Sequence, residues 1–147
     1  MAWLLAIAIL GAFVIWAVWP RKGFTESQRI DQLPLKFREL LNGTPKPSAL
    51  ILETGKDGPF VQFAHDSTLY ANFPLVTERN RELESLFKEK ISDHGLSIRR
   101  EVGSDGAQFL EVDLPENSDQ AATVAQLILI DVFGLDPSAR IKAKLQL

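Results

Sequence analysis

The chain has 147 residues, enough for one core and too few for two enclosed domains, and its net charge of −3 excludes the positive field that nucleic acid or an anionic lipid surface requires. It has no cysteine and only two histidines, His65 and His94, which excludes disulfide staples, thiolate chemistry and a histidine-rich metal site. All three tryptophans fall within the first 19 residues, and setting Arg21 and Lys22 aside leaves 14 basic against 19 acidic side chains, so an apolar segment and an acidic domain must be read separately.

Residues 1–19, MAWLLAIAILGAFVIWAVW, carry no charged or strongly polar side chain. As a helix they extend about 28 Å, close to the hydrocarbon thickness of a bilayer. Trp3 near one end and Trp16 with Trp19 near the other stand where amphipathic indoles prefer the headgroup boundary, and Pro20, Arg21 and Lys22 stop the run. A cleavable signal needs a basic stretch, a shorter apolar core and a small-residue cleavage site, and none is evident. The segment therefore predicts one transmembrane helix, with the lipid bilayer as its first partner. Arg21 and Lys22 follow it and no basic side chain precedes it, which predicts a cytoplasmic domain. Ala2 with Ala6, and Ala8 with Ala12, have the spacing that permits close helix contact in lipid.

Residues 20–28 read as a juxtamembrane linker and 29–147 as the domain. Ile30, Leu33, Phe37, Leu40 and Leu41 recur at helical period, with Pro34 at the start and Gly43, Pro45 and Pro47 closing the segment. Two apolar runs, residues 49–52 and 60–64, flank Gly55-Lys56-Asp57-Gly58 and predict a hairpin. A third strand, 68–73, ends at Pro74. Thr77 is placed to cap a helix striped by Leu83, Leu86, Phe87 and Ile91, with Glu84 and Lys88 paired on its surface. Gly95 ends that helix.

A second hairpin follows, 96–102 and 108–114, around Gly103-Ser104-Asp105-Gly106. Asn117 or Ser118 caps a helix from Ser118 to Phe133, apolar around most of its circumference and therefore predicted to be the central core helix. From Ala139 to Leu147 apolar and polar residues alternate, which suggests a final edge strand. Its residues Arg140, Ile141, Lys142, Ala143, Lys144 and Leu145 form a candidate partner-binding edge.

The expected fold class is α+β, a helix and antiparallel-sheet sandwich of order α-β-β-β-α-β-β-α with a last strand. That order, the stretch PFVQFAHDS from Pro59 to Ser67, and LILIDVFGLDPSARIKAKL from Leu127 to Leu145 resemble the TY-Chap family within the type III secretion chaperone-like superfamily, over about residues 27 to 147. The resemblance implies a small, non-enzymatic, chaperone-like domain that binds extended segments of partner proteins, often as a homodimer, and it brings no catalytic residue and no cofactor. A membrane anchor departs from that pattern.

Catalytic constellations are sparse. His65-Asp66-Ser67 brings three catalytic residue types together, but neighbours on a strand point to opposite faces, so a strand end and turn is the expectation. His94 closes a helix, where an imidazole meets exposed carbonyls. Glu111 and Asp113 share one strand face and could share a cation or a proton task, although solvated carboxylates are commoner. Arg79, Arg81, Arg99 and Arg100 stand among glutamates and predict ion pairs. The glycine turns lack the lysine and hydroxyl of a phosphate loop. Three functions follow in order: a membrane-anchored interaction domain, chaperone-like or adaptor; a structural subunit assembled through its transmembrane helix; and, last, a small tethered enzyme using Asp, Glu or His65.

Overall fold

Short runs of β-branched, aromatic and leucine side chains punctuated by glycine and proline turns build an antiparallel sheet, which helices cover on one side. The computed structural model describes residues 23–42 and 48–146. The expected transmembrane helix, with Trp3, Trp16, Trp19, Arg21 and Lys22, lies outside those residues. Among the described residues no helix is long and apolar enough to cross a membrane.

The strands are β1 (Gly23–Arg29), β2 (Ser48–Glu53), β3 (Phe60–His65), β4 (Leu69–Pro74), β5 (Ile98–Val102), β6 (Gln108–Leu114) and β7 (Arg140–Gln146). They form one seven-stranded antiparallel sheet in the order β1-β7-β2-β3-β4-β6-β5. The helices are α1 (Leu33–Asn42), α2 (Glu78–Glu82), α3 (Glu84–Asp93) and α4 (Ser118–Leu127). A 3-10 turn, Ile30–Gln32, leads into α1, and one π turn, Ile128–Val132, extends α4.

Local chemistry explains most boundaries. In the first hairpin the Gly58 N–H donates to the Gly55 carbonyl at 3.1 Å, and Asp57 takes a left-handed φ of 61°, which a short polar side chain tolerates. Thr77 accepts from the Asn80 N–H at 3.1 Å and starts α2. Asn117 accepts from the Asp119 and Gln120 N–H groups, both at 3.0 Å, and starts α4. After the π turn the Phe133 N–H donates to the Ile128 carbonyl at 2.9 Å, and Gly134, at φ 77°, supplies the left-handed stop.

Two expectations are corrected. Residues 23–28, taken as the end of the linker, belong with Arg29 to β1, which pairs along all seven residues with β7; Glu26 and Gln28 alternate with Thr25, Ser27 and Arg29. From this strand Glu26 reaches Lys36 of α1 at 2.7 Å, while Glu39 lies 3.5 Å from the same ammonium. Burial pulls the Lys36 pKa down, but the Glu26 hydrogen bond and the two carboxylate charges outweigh it and hold the group above its ordinary value. The second correction concerns β7. With β1 on one side and β2 on the other it is an interior strand, and the outer strands are β1 and β5.

The principal core lies between the sheet and the helices. Leu50, Leu52, Val61, Phe63, Leu69 and Phe73 meet Leu33, Phe37, Leu40, Phe87, Ile91 and Ile128, all buried. Phe37 and Phe63 meet edge to face with centroids 4.8 Å apart, and Phe73 stacks on Phe87 at 4.4 Å. Alternation sends the remaining strand side chains to the other face, where Ala49, Ile51 and Phe60 form a separate small cluster without a single helix residue.

Candidate docking surface: the second face of the sheet

Register alone assembles this face. Ala49 and Ile51 of β2 stand opposite Ala64 and Gln62 of β3, which stand opposite Tyr70 and Asn72 of β4. On the flanks Gln146 and Lys144 of β7 pair with Ala49 and Ile51, and Asp113 and Glu111 of β6 pair with Tyr70 and Asn72. The centre is an apolar floor, Ala49, Ile51 and Ala64, inlaid with two amides, Gln62 and Asn72. Both amides are completely withdrawn from solvent. Both polar atoms of the Gln62 side chain, and Oε1 of Gln146, have no hydrogen-bond partner among the described residues. A groove of about 290 Å³ opens from Ile51 and Gln62 towards Phe60, Thr77 and the Gly55–Gly58 turn.

Charged side chains frame the floor. Lys144 pairs with Glu53 at 3.1 Å on the β7 side. On the β6 side one Arg99 nitrogen, Nη2, donates to Glu111 at 2.7 Å and to Asp113 at 2.9 Å. The two carboxylates that could have shared a metal ion or a proton task therefore share a guanidinium. Burial pushes the Glu111 pKa up to about 7 from 4.5; Arg99 opposes it, and Glu101, Asp113 and Asp66 reinforce it. Burial prevails because the guanidinium is half exposed and divided between two acids, whereas the Glu111 side chain is only 14% exposed. Burial, with Asp66 and Glu111 beside it, also holds the Tyr70 phenol protonated well above its usual range.

A raised carboxyl pKa in the native state destabilises the fold once the proton is lost. Between about pH 4.5 and 7 the native state binds more protons than the unfolded chain at Glu111, so this group makes stability fall as pH rises through that window and level off above it. Glu111→Gln is expected to flatten that segment of the pH–stability curve, by about 2 kcal/mol across the window in denaturant titrations. Parallel curves for the two proteins would contradict the assignment.

The other candidate residues make local contacts. His65 directs Nε2 to Glu116 at 2.6 Å, while Asp66 accepts from the Ser67 and Thr68 N–H groups and shapes the turn before β4. The Ser67 hydroxyl donates to Asp66 at 3.4 Å, while the His65 Nε2 is turned to Glu116. His94 closes α3 through its backbone N–H. The expected ion pairs form: Arg79 with Glu82 at 2.8 Å, Lys88 with Glu84 at 2.8 Å, and Arg100 with Glu84; Arg100 also donates a hydrogen bond to the Gln108 side-chain oxygen. Arg81 instead donates to the Leu75 carbonyl. Among the described residues no group of three His, Cys, Asp or Glu side chains is placed to hold a metal ion.

Of the β7 candidates, Ile141, Ala143 and Leu145 point into the principal core, and Arg140, Lys142 and Lys144 point to the second face. Their backbones are already bonded to β1, and from Lys142 onward to β2 as well, which closes β7 to an added strand. The sequence reading missed Gln62 and Asn72; the available signal was the lack of strict alternation in residues 49–52 and 60–64, a mark of strands covered on both faces. No family model, curated protein or solved structure matches the chain.

Proposed function

We propose that this chain is a single-pass membrane protein whose α+β domain, on the cytoplasmic side, receives a segment of a partner protein in a chaperone-like or adaptor role, with no catalysis of its own. The observation that carries the reading is the second face of the sheet: an apolar floor with inlaid amides, framed by charges and, among the described residues, with no helix side chain in its apolar cluster. Such a floor suits a segment that is mostly apolar and offers a few hydrogen-bonding groups. The resemblance to the type III secretion chaperone-like superfamily points the same way.

Residues 1–19 supply the membrane anchor in this account, with Trp3, Trp16 and Trp19 at its boundaries and Arg21 and Lys22 retained on the cytoplasmic side. Only Pro20, Arg21 and Lys22 separate that segment from β1, a reach of about 10 Å, so the β1 end of the sheet is held close to the bilayer. A second reading, a structural subunit assembled through the first helix, is favoured by the paired spacings Ala2–Ala6 and Ala8–Ala12.

Exchange of residues 1–19 for an unrelated apolar span separates the two. Captured from gently solubilised native membranes, the exchanged chain is expected to retain the same co-purifying protein as the native chain. Loss of that protein on exchange would move recognition into the anchor and support the second reading instead.

A further inference from the structure

We propose that the second face of the sheet is the docking site for the chain's own residues 1–19 whenever these are not in a bilayer; the inference rests on reading that face as the receiving surface and names what regulates it. The starting point is a mismatch. Ala49, Ile51, Gln62, Ala64 and Asn72 are exposed by only 3, 3, 0, 4 and 0%, yet the long helices α1, α3 and α4 pack on the opposite face. The centre of a sheet face stays wet unless something lies across it. A cover is required, and it has to come from outside the described residues or from another molecule.

Placement favours the segment before β1. Gly23 pairs with Gln146, and Gln146 pairs with Ala49, so the chain reaches β1 at the end of the face where Ala49, Ala64 and Tyr70 lie. Size agrees: a 19-residue helix is about 28 Å long, and the six spacings of this sheet measure about 29 Å. Chemistry agrees as well. The segment offers an uninterrupted apolar surface to the floor, and its only side-chain hydrogen-bond donors are the indole N–H groups of Trp3, Trp16 and Trp19. The floor offers amide oxygens, those of Gln62 and Gln146, that accept nothing from the described residues. Apolar strands left bare on this second face would be an aggregation hazard, and the same contact removes it.

The docking makes partner binding conditional on the membrane. With residues 1–19 folded back, the face is filled and the segment is sheltered from water. Insertion into a bilayer withdraws the segment and uncovers the floor for a partner. The domain is then a chaperone of its own anchor first and of a partner second.

The absence of cysteine makes the test clean. In the full chain, Ile51→Cys is combined in turn with Ala6→Cys, Ala8→Cys, Ala12→Cys or Ala17→Cys, which sample two sides of a helix. Each double variant is oxidised mildly, once free of lipid and once in phosphatidylcholine nanodiscs. At least one pair is expected to form an intramolecular disulfide in the lipid-free chain, and at least tenfold less of it in nanodiscs. Lys88→Cys on α3, combined with the same four positions, is expected to stay reduced in both. Failure of all four Ile51→Cys pairs to link within one chain overturns the proposal, as do links formed only between chains, which would assign the cover to a second copy. Links that persist undiminished in nanodiscs would leave the docking standing and overturn the membrane-anchored reading on which the switch rests.

Discussion

Asn80→Ala is expected to lower the unfolding free energy by about 2 to 4 kcal/mol, because three backbone groups, two part-buried and one buried, lose an amide contact in one substitution. Asn80 is fully buried. Its Nδ2 donates to the Phe60 carbonyl at 3.1 Å and to the Pro74 carbonyl at 2.7 Å, while its Oδ1 accepts from the Phe60 N–H at 3.2 Å. One amide thus ties the first residue of β3 to the last residue of β4 and holds level the floor that carries Gln62 and Asn72. Asn80→Asp is expected to be at least as damaging, since a carboxylate cannot donate to either carbonyl and brings a buried charge. Denaturant titration followed by circular dichroism checks both. A loss below about 0.5 kcal/mol for alanine would mean that water replaces the amide at little cost.

Phe73→Ala should be costlier still, about 3 to 5 kcal/mol, with a fall in melting temperature of roughly 10 °C or more. Phe73 has no solvent exposure, stacks on Phe87 at 4.4 Å and meets Phe133 at 6.1 Å. The π turn before Phe133 takes part in this arrangement: its wider bond, from the Phe133 N–H to the Ile128 carbonyl, shifts the rotation of the helix end relative to a regular α-helix and brings the Phe133 ring over the sheet. Phe73→Leu keeps most of the volume and is expected to cost less than half as much. Equal losses for leucine and alanine would mean that ring stacking, not volume, dominates.

Much of the fold was legible because its signals are local. Turn chemistry at Gly55–Gly58 and Gly103–Gly106 located both hairpins, and the caps at Thr77 and Asn117 started the helices where the sequence places them. Strand β1 was not legible: Thr25, Glu26, Ser27, Gln28 and Arg29 carry no apolar period, and the strand forms because β7 offers it seven pairing positions more than a hundred residues away. The same non-local pairing turned β7 from an expected edge into an interior strand. Its alternation, Ile141, Ala143 and Leu145 against Lys142 and Lys144, reports that one face is buried and is silent about lateral neighbours.

The candidate site was half legible for a related reason. Sequence shows that residues 49–52 and 60–64 are mostly apolar without strict alternation, which demands a cover on both faces. It does not show that Gln62 and Asn72 meet across β3 and β4, since that depends on a register set by the Asp66–Thr68 turn. Polar residues at those positions read as solvated until the sheet is assembled.

The most direct test of the interaction reading is to compare one captured partner across two faces of the sheet. Ile51→Asp puts a charge into the floor of the second face, and Lys144→Glu reverses its rim opposite Glu53. Val102→Asp, at an exposed position of the outer strand β5, serves as the control. Each full-length variant is captured from native membranes after circular dichroism has established that it melts like the native chain. The account predicts that Ile51→Asp and Lys144→Glu lose the partner by tenfold or more, while Val102→Asp retains it. Retention by both second-face variants, with loss in Val102→Asp, would contradict it and place recognition on the β5 edge.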